Sequence, residues 1–347
     1  MLNTPAMGDP AAAGPPPWIA AQAKLLLAQR GHAWLLHGPS GLGQYGLAMA
    51  LARAWLCENA TPAGACGVCG SCHAIDVRTH ADLCVLMPET TLLELGWPLG
   101  EKAQNEIDDK KRKASKEIRV DAMREAVEFS QRTSARGRGK VVLVFPAEQM
   151  NTITANALLK TLEEPPGDVK FVLASESAHQ LLPTIRSRCL GHAMHWPDAA
   201  SSQRWMQSRG FDATQAQLLL QSMGGRPEDA QAFAASGRDP AAWPNLPKDL
   251  SRGDVGFFKD WTIPQTLDAL HKLCHDLMAQ NCGATPRFFA PNDLGAGASI
   301  TALSDWSRDL SRTMRTMDHP FNAGLMLESL VGQAQSALNS RHEAGKR

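Results

Sequence analysis

The sequence has no excess of either charge and no long apolar run. Lysine and arginine together number 35, and so do aspartate and glutamate, so the formal net charge is zero. A domain that binds nucleic acid on its own is usually basic, so we expect any contact with DNA to be made within an assembly. No apolar run approaches the roughly 20 residues that cross a bilayer, and we expect no membrane contact.

The sequence also lacks an export signal at its start. Residues 1–17 are rich in Ala, Pro and Gly, without a basic segment or an apolar one. We therefore predict a disordered tail over 1–17 and a cytoplasmic location. Tyrosine is nearly absent, with a single residue, whereas the eight cysteines are mostly clustered. In a reducing compartment such clustering favours a metal site over disulfides.

The stretch around residue 38 has the glycines of a phosphate-binding loop but lacks its reactive side chains. A working loop reads G-x-x-x-x-G-K-[ST]: backbone N–H groups hold phosphates, the lysine reaches the terminal phosphates, and the hydroxyl holds Mg²⁺. Gly38 and Gly43 stand at this spacing, but Gln44 and Tyr45 follow them. Glutamine has no charge for a phosphate, and tyrosine places a ring where a small hydroxyl is needed. The octapeptide alone is equally compatible with an ordinary glycine-rich turn.

The context of this loop favours the phosphate-loop interpretation. The apolar run 32–37 predicts a buried strand before it, and 47–57 predicts an apolar helix after it. Strand, loop and helix are the context that a phosphate-binding loop requires. The sequence therefore predicts a degenerate phosphate loop at Gly38, Gly43, Gln44 and Tyr45.

The second part of an ATPase site is also replaced. The apolar run 141–145 predicts a central parallel strand, which in a phosphate-loop ATPase should end in Asp-Glu for Mg²⁺ and the attacking water. It ends in Phe145-Pro146, and Glu148 lies too far beyond it to be assigned either role. Two losses in the same machinery predict a chain that does not hydrolyse ATP.

Four cysteines follow the first helix at the spacing C-x8-C-x2-C-x2-C: Cys57, Cys66, Cys69 and Cys72. Four thiolates fit a closed tetrahedral Zn²⁺ site of the structural kind, with no position open for water. Intervening glycines permit the tight turns of such a site: Gly64, Gly67 and Gly70. His73 or Cys84 could replace one ligand, and the alternative to a metal site is free thiols packed as small hydrophobic side chains. The pattern lacks the histidines of a DNA-reading zinc finger.

Helical and strand patterns alternate up to residue 188, which predicts an α/β fold with a parallel sheet. The predicted elements after the cysteines are helices over 118–132, 151–164 and 181–188 and strands over 83–86, 141–145 and 169–175. The charged stretch 92–116 interrupts them. We favour a solvated surface insertion there over a basic contact to DNA, because its charges are of both signs.

Several of these features together resemble the bacterial clamp-loader subunits of the AAA+ superfamily. The resemblance is dense over 18–197 and is carried by Pro17-Trp18, the degenerate loop, the four cysteines, the run 156–166 (NALLKTLEEPP) and Ser187-Arg188-Cys189. Within this family the gamma/tau branch keeps Lys-Thr in its loop and Asp-Glu after its third strand. This sequence keeps neither, and it is more similar to the delta-prime branch of DNA polymerase III.

The resemblance implies roles for three residues. The arginine of Ser-Arg-Cys, here Arg188, is implied to be an arginine finger that serves the ATP site of a neighbouring subunit; the alternative is a surface pair with a carboxylate. Ser175 and Arg226 fall at nucleotide-sensing positions of the family. Because this chain has no nucleotide to sense, we expect both to be structural.

The resemblance also implies an architecture and partners. The fold class expected is an AAA+ α/β phosphate-loop domain over 18–196, a parallel sheet with helices on both faces and an inserted zinc module. A helical lid over 197–238, a linker over 239–254 and an all-α collar domain over 255–347 follow. The partners implied are the gamma/tau and delta subunits in a hetero-pentamer, the sliding clamp and primed DNA. The function implied is that of a non-hydrolysing component of the DNA polymerase III holoenzyme. Alternatives are an active gamma/tau-like ATPase and a zinc-dependent nucleic-acid binder.

Overall fold

The computed structural model describes residues 15–295, 298–316 and 322–340. The predicted tail therefore lies outside the described residues over 1–14, and the first helix begins at Pro17. The chain divides into two compact units, Met1–Ser201 and Ser202–Arg347. Within the described ranges, no helix is both long and apolar enough to span a bilayer.

A parallel sheet forms the centre of the first unit. Its five strands are β1 (Ala33–His37), β2 (Leu83–Leu86), β3 (Lys140–Val144), β4 (Val169–Ser175) and β5 (Leu190–Ala193). They are ordered β2-β3-β4-β1-β5, and every pairing is parallel. β3 is buried throughout, as expected for a strand covered on both faces. The prediction of a parallel sheet is confirmed.

Eight helices lie in the first unit among its described residues. They are α1 (Pro17–Leu27), α2 (Gln44–Leu56), α3 (Gly70–Asp76), α4 (Glu89–Glu94), α5 (Glu101–Asp108), α6 (Val120–Gln131), α7 (Thr152–Glu163) and α8 (Pro183–Arg186). Val141 of β3 packs against α2 and α3, whereas Val142 and Val144 pack with α6 and α7. Because successive side chains of a strand lie on opposite faces, helices cover both faces of the sheet.

Two helices differ most from the sequence prediction. The helix after the loop begins at Gln44, three residues earlier than predicted, because Gly43 (φ 94°) completes the turn in the left-handed region. The helix predicted over 181–188 is only the four residues of α8, and the edge strand β5 follows it. The chain leaves α8 at Ser187 and reaches the sheet beside β1.

The second unit is helical. Its elements are the remainder of α9 (Ala199–Ser208), then α10 (Ala213–Ser222), α11 (Pro227–Ala235), α12 (Leu246–Ser251), α13 (Ile263–Asn281), α14 (Ile300–Thr316) and α15 (Ala323–Leu338). α13 packs against α14 and α15. The ring of Trp243 stacks on that of Phe289, with 5.0 Å between centroids. The prediction of a helical C-terminal region is confirmed.

The segment 239–254, predicted as a linker, is folded. It forms a 3-10 turn (Pro240–Asn245) and α12, and it buries Trp243, Leu246 and Leu250. Its prolines and asparagine suggested a linker, but these three apolar side chains enter a core, and burying them stabilises the segment. The division into lid and collar stays a prediction.

Candidate functional site

The degenerate loop lies at the carboxyl edge of the parallel sheet. Gly38 follows β1, and its N–H donates to the carbonyl of Ser175 at the end of β4, 3.3 Å away. The indole Nε1–H of Trp18 donates to the carbonyl of Leu42 at 3.3 Å. α2 begins directly after the loop. A helix N-terminus at this edge is where related folds bind phosphate.

The side chain of Gln44 lies inside the loop and donates hydrogen bonds to its backbone. This side chain is buried, and its amide Nε2 donates to the carbonyl of Gly38 at 2.8 Å and to that of Pro39 at 2.7 Å. A side-chain amide has only two N–H groups, so both are used on the loop's own backbone. The residue at the lysine position therefore secures the loop and extends no donor toward a phosphate.

Tyr45 fills the position of the metal-binding hydroxyl with an aromatic contact. Its ring stacks on Phe145, with 5.4 Å between centroids. Its hydroxyl accepts the indole N–H of Trp97 at 2.7 Å. Burial raises the pKa of Tyr45 above its ordinary value, against the lowering effect of the bond from Trp97. The phenol is therefore neutral at physiological pH and is not an anionic metal ligand.

Glu148 is held beside the end of β4. Its Oε1 accepts the N–H of Glu176 at 3.0 Å, whereas its Oε2 is buried without a hydrogen-bond partner among the described residues. Ser175 is buried, and its hydroxyl accepts the N–H of Ser177 at 3.2 Å. Glu148 and Ser175 therefore both accept hydrogen bonds from the backbone of the segment that follows β4.

The charged insertion is organised around Arg112. Its Nη2 donates to Glu89 at 2.8 Å, and its Nε donates to Glu106 at 2.6 Å. The N–H of Ser115 also donates to Glu89 at 2.8 Å. The guanidinium of Arg112 lowers the pKa of both glutamates. Arg112, one of the cations of the run 108–113, thus holds the insertion together.

The four predicted metal ligands come together. Cys57 follows α2, Cys66 lies in the loop, Cys69 caps α3, and Cys72 lies inside α3. Their sulfur atoms all lie within 4.8 Å of one another, and the Sγ atoms of Cys57 and Cys69 are 3.8 Å apart. A tetrahedral zinc site with Zn–S bonds of about 2.3 Å places its sulfurs roughly 3.8 Å apart. The cluster could therefore hold a metal ion.

The backbone around the cluster donates hydrogen bonds to its sulfurs. The N–H of Cys66 lies 3.2 Å from Sγ of Cys57, and that of Cys72 lies 3.5 Å from Sγ of Cys69. Burial acts to raise the pKa of Cys69, but the N–H groups of Cys72 and Glu58, with the thiols of Cys72 and Cys66, lower that pKa to about 6. At Cys69 these donors favour the thiolate, which is the form that binds a metal. Burial and the neighbouring Cys69 raise the pKa of Cys72 to about 12.

Glycines form the turns of the cysteine loop, and the two alternative ligands lie outside the cluster. Gly64 (φ 128°) and Gly67 (φ 78°) adopt the left-handed conformation that glycine permits, while Gly70 begins α3. Within the described part of the chain, neither His73 nor Cys84 belongs to the ligand group. Cys84 lies in β2 and packs against the core of the sheet.

Glu58, which no sequence pattern marks, joins the cysteine cluster to the turn between α6 and β3 (residues 132–139). Oε1 of Glu58 accepts the N–H of Ser71 at 3.1 Å, the hydroxyl of Ser71 at 3.0 Å and Nη1 of Arg136 at 3.0 Å. The hydroxyl bond from Ser71 lowers the pKa of Glu58. The turn between α6 and β3 thereby contacts the start of α3.

Asp82 anchors the same turn from the sheet side. This fully buried carboxylate accepts the N–H groups of Ala135 (2.8 Å) and Arg136 (2.9 Å) and the hydroxyl of Ser134 (3.1 Å). It also pairs with Nζ of Lys140 at 3.2 Å. Burial alone would raise the pKa of Asp82, but these donors lower it below its ordinary value.

Arg188 lies between the C-terminal ends of α7 and α8. Its Nε donates to Oε1 of Glu163 at 2.6 Å, its Nη2 donates to the same oxygen, and its Nη1 donates to the carbonyl of Thr184 at 2.8 Å. The side chain is 30% exposed. Its neighbour Cys189 packs against the core, and burial raises the pKa of that thiol to about 12.

Arg226 is held by its own helix. It precedes α11, pairs with Asp229 at 2.8 Å and donates through Nε to the carbonyl of Met223 at 2.9 Å. These contacts fit the structural role expected for it.

Comparison with known proteins identifies the family. A family model described as "DNA polymerase III, delta subunit" matches residues 21–195. The chain is 33% identical to DNA polymerase III subunit delta-prime of Pseudomonas aeruginosa, across 88% of this chain and 92% of that protein. It is 34% identical to the delta-prime subunit of Escherichia coli, across 62% of this chain and 60% of that protein. The chain belongs to the DNA polymerase III delta-subunit family.

Two further matches are weaker, one in the share of the chain that it covers and one in its sequence identity. The tau subunit of Escherichia coli is 36% identical over 46% of this chain and 21% of that protein. A gamma subunit-related protein of Thermotoga maritima has a solved structure that aligns with 93% of this chain and 100% of that chain, at 15% identity and a TM-score of 0.47. The resemblance to DNA polymerase III subunits drawn from the sequence is confirmed.

Proposed function

We propose that this chain is a non-hydrolysing, delta-prime-type subunit of the DNA polymerase III clamp loader. It would assist ATP-dependent loading of the sliding clamp onto primed DNA within a hetero-pentamer of gamma/tau and delta subunits. The observation that carries the proposal is the amide of Gln44, whose two N–H groups are used on Gly38 and Pro39. Similarity to delta-prime subunits along most of the chain supports it.

The nucleotide site is proposed to be inactive for two independent reasons. Gln44 supplies no positive charge at the lysine position, and the Tyr45 and Phe145 rings stack where a hydroxyl and a carboxylate would hold Mg²⁺. Phosphoryl transfer depends almost entirely on such positioning and charge. A chain that lacks both groups assists catalysis only in other subunits.

The cysteine cluster is proposed to hold a structural Zn²⁺ through Cys57, Cys66, Cys69 and Cys72. The sulfur positions fit a tetrahedral ion. The ion, when bound, would tie the end of α2 to α3 and keep the loop between them in shape. Four thiolates leave no position for water, so we assign the metal no catalytic role.

Arg188 is proposed to act in trans as an arginine finger. The chain has no competent site of its own for this guanidinium to serve, and the side chain is partly exposed. A planar guanidinium stabilises the charge that spreads over phosphoryl oxygens in the transition state, and a neighbouring protein can supply it. The alternative is that its pair with Glu163 is its only role.

The domain scheme is part of the same proposal. Residues 18–196 would carry the inactive AAA+ site, 197–238 the lid and 255–347 the collar that holds the ring of subunits. The packing of α13 against α14 and α15 supports a helical bundle in the last of these.

A second candidate function is an active gamma/tau-like ATPase. Similarity to tau and gamma subunits over 46% of the chain favours it. The replacements at Gln44, Tyr45 and Phe145 speak against it, because each removes a group that hydrolysis requires.

ATP turnover of the purified chain, measured alone and with its gamma/tau and delta partners, separates the two candidates. We expect no turnover by the chain alone, co-purification with the partners, and DNA-stimulated hydrolysis by the assembly that requires this chain. Turnover by the chain alone would favour the active ATPase. Failure to assemble would overturn the clamp-loader role.

A further inference from the structure

We infer that Glu163 is a positioning residue for Arg188: it holds the guanidinium so that one N–H of Nη1 and one of Nη2 remain for a phosphate of ATP bound by a neighbouring subunit. The inference rests on the proposed trans-acting role of Arg188. It starts from a contact across 25 positions of sequence, in which two nitrogens of Arg188 meet one oxygen of Glu163.

The hydrogen bonds of Arg188 use three of its five N–H groups, on two edges of the guanidinium. An arginine has five N–H groups in a rigid fork. Glu163 takes one from Nε and one from Nη2, and the carbonyl of Thr184 takes one from Nη1. Among the described residues, the other N–H of Nη1 has only the hydroxyl of Ser187 at 3.5 Å, and the other N–H of Nη2 has no acceptor. Terminal N–H groups of this kind bind two phosphate oxygens side by side.

The place of Glu163 in its helix argues for a role beyond helix stability. It is the last residue of α7, which ends before Pro165-Pro166. A negative charge at a helix C-terminus is unfavourable, because the last carbonyls carry partial negative charge. Helix stability would therefore favour a basic residue or a neutral one at this position. The pairing with Arg188 offsets the unfavourable charge.

Arg188 is also placed by α8. That helix is only four residues long, so its last carbonyls have few partners within the helix. The carbonyl of Thr184 accepts Nη1 of Arg188, as expected for a cation at a helix C-terminus. Glu163 and Thr184 together restrict a long side chain that would otherwise sample many rotamers. Restricting it before the reaction removes an entropy cost from the transition state.

The ion pair between Glu163 and Arg188 does not prevent the guanidinium from turning toward a phosphate. Side chains of Glu163 and Arg188 are 47% and 30% exposed, so water screens their attraction. The guanidinium can therefore turn toward a phosphate without leaving a buried charge behind. A buried pair of the same geometry would resist this movement.

The test uses the reconstituted assembly of this chain with its gamma/tau and delta partners, and it measures kcat and KM for DNA-stimulated ATP hydrolysis. The variants are Glu163→Ala and Glu163→Gln. Glu164→Ala is the matched control, because Glu164 is the adjacent exposed carboxylate. Arg188→Ala measures how much kcat falls when the guanidinium is removed altogether.

We expect Glu163→Ala to lower kcat of the assembly by less than Arg188→Ala lowers it, with KM for ATP unchanged. Glu163→Gln should lie between it and the wild type, since the amide oxygen still accepts a hydrogen bond. The double variant Glu163→Ala/Arg188→Ala should be no slower than Arg188→Ala, because the glutamate acts through the arginine. Glu164→Ala should match the wild type.

The outcomes separate this inference from the proposed function. If Arg188→Ala leaves hydrolysis unchanged, the proposed finger is wrong and the inference falls with it. If Arg188→Ala slows hydrolysis but Glu163→Ala does not, only the inference is overturned. A faster Glu163→Ala enzyme would also overturn it, because Glu163 would then restrain the finger rather than position it.

Discussion

The indole N–H of Trp97 donates to the hydroxyl of Tyr45 at 2.7 Å, across 52 positions of sequence. Tyr45 stacks in turn on Phe145. The charged insertion, the degenerate loop and the end of β3 therefore meet in one aromatic contact. Because the rings of Tyr45 and Phe145 pack against each other, replacing either one alone loses this contact.

The first prediction concerns that complementarity. Gln44→Lys combined with Tyr45→Thr restores the residues of a phosphate loop but should not restore ATP hydrolysis, because Phe145-Pro146 still offers no ligand for Mg²⁺. Turnover of labelled ATP by the purified double variant is the measurement, with the wild-type chain as control. Measurable turnover by either protein would refute the inactive site.

The second prediction concerns the bond between Trp97 and Tyr45. Trp97→Phe and Tyr45→Phe should each lower the free energy of unfolding by about 1 kcal/mol, the usual size for one hydrogen bond. The double variant should cost less than the sum of both, since both remove the same bond. Urea unfolding of the wild type, the two single variants and the double variant measures the coupling free energy between Trp97 and Tyr45. Strictly additive losses of stability would show that their hydrogen bond does not stabilise the fold.

The third prediction concerns the cysteine cluster. The purified chain should contain one zinc per molecule, and Cys69→Ser should lose most of it, because three thiolates bind a structural zinc more weakly than four. Cys84→Ser is the matched control, since Cys84 lies in β2 outside the ligand group. Elemental analysis is the measurement. A chain without zinc, or Cys69→Ser with a full complement, would contradict the assignment.

The fourth prediction concerns acid stability. The pKa of Asp82 is lower in the folded chain than the roughly 3.9 of an unfolded aspartate. The carboxylate therefore adds stability above pH 4, and this contribution is lost as the pH falls through the folded pKa. Asp82→Asn should cost about 3 kcal/mol at pH 7, because Lys140 would be left buried without its charge partner.

Urea unfolding between pH 3 and pH 7 measures this effect. The difference between wild type and Asp82→Asn should begin to shrink only below about pH 4, as the pH approaches the lowered folded pKa of Asp82. Asp121→Asn, at a carboxylate that is 77% exposed, is the control and should stay near the wild type. A constant difference across the range would show that the charge of Asp82 is not what stabilises the turn.

The sequence could predict the elements whose signals are local. β3 and β4 are apolar runs long enough to be recognised as buried strands, and the four cysteines have the spacing of a metal site. β5 has no such signal: Leu190–Ala193 is mostly exposed and contains Gly191 and His192. Its place beside β1 depends on pairing with that strand, which no local pattern encodes.

The contacts that define the candidate sites could not be predicted from the sequence, because they depend on the folded backbone or join residues far apart in the chain. Gln44 could be recognised as a missing charge, but not as the group that closes the loop, because its acceptors are backbone carbonyls. The pairs Trp97–Tyr45 and Glu163–Arg188 join residues brought together only by the fold. Neither spacing nor composition distinguishes them from surface residues.

The central claim is that this chain has no nucleotide chemistry of its own and serves a neighbour through Arg188. The most direct measurement is DNA-stimulated ATP hydrolysis and clamp loading by a reconstituted complex that carries Arg188→Ala. Arg186→Ala, at an exposed arginine of α8, is the matched control. Stability of Arg188→Ala should fall by at most about 1 kcal/mol, since the pair with Glu163 is partly exposed.

We predict that Arg188→Ala assembles normally but slows both hydrolysis and clamp loading. The loss for the whole complex should be smaller than the several orders of magnitude that a finger is worth at one site, because other interfaces keep their own. Arg188→Lys should recover little, since an ammonium lacks the planar fork. Unchanged hydrolysis and loading by an assembled Arg188→Ala complex would contradict the account, and Arg188 would then be only a surface partner of Glu163.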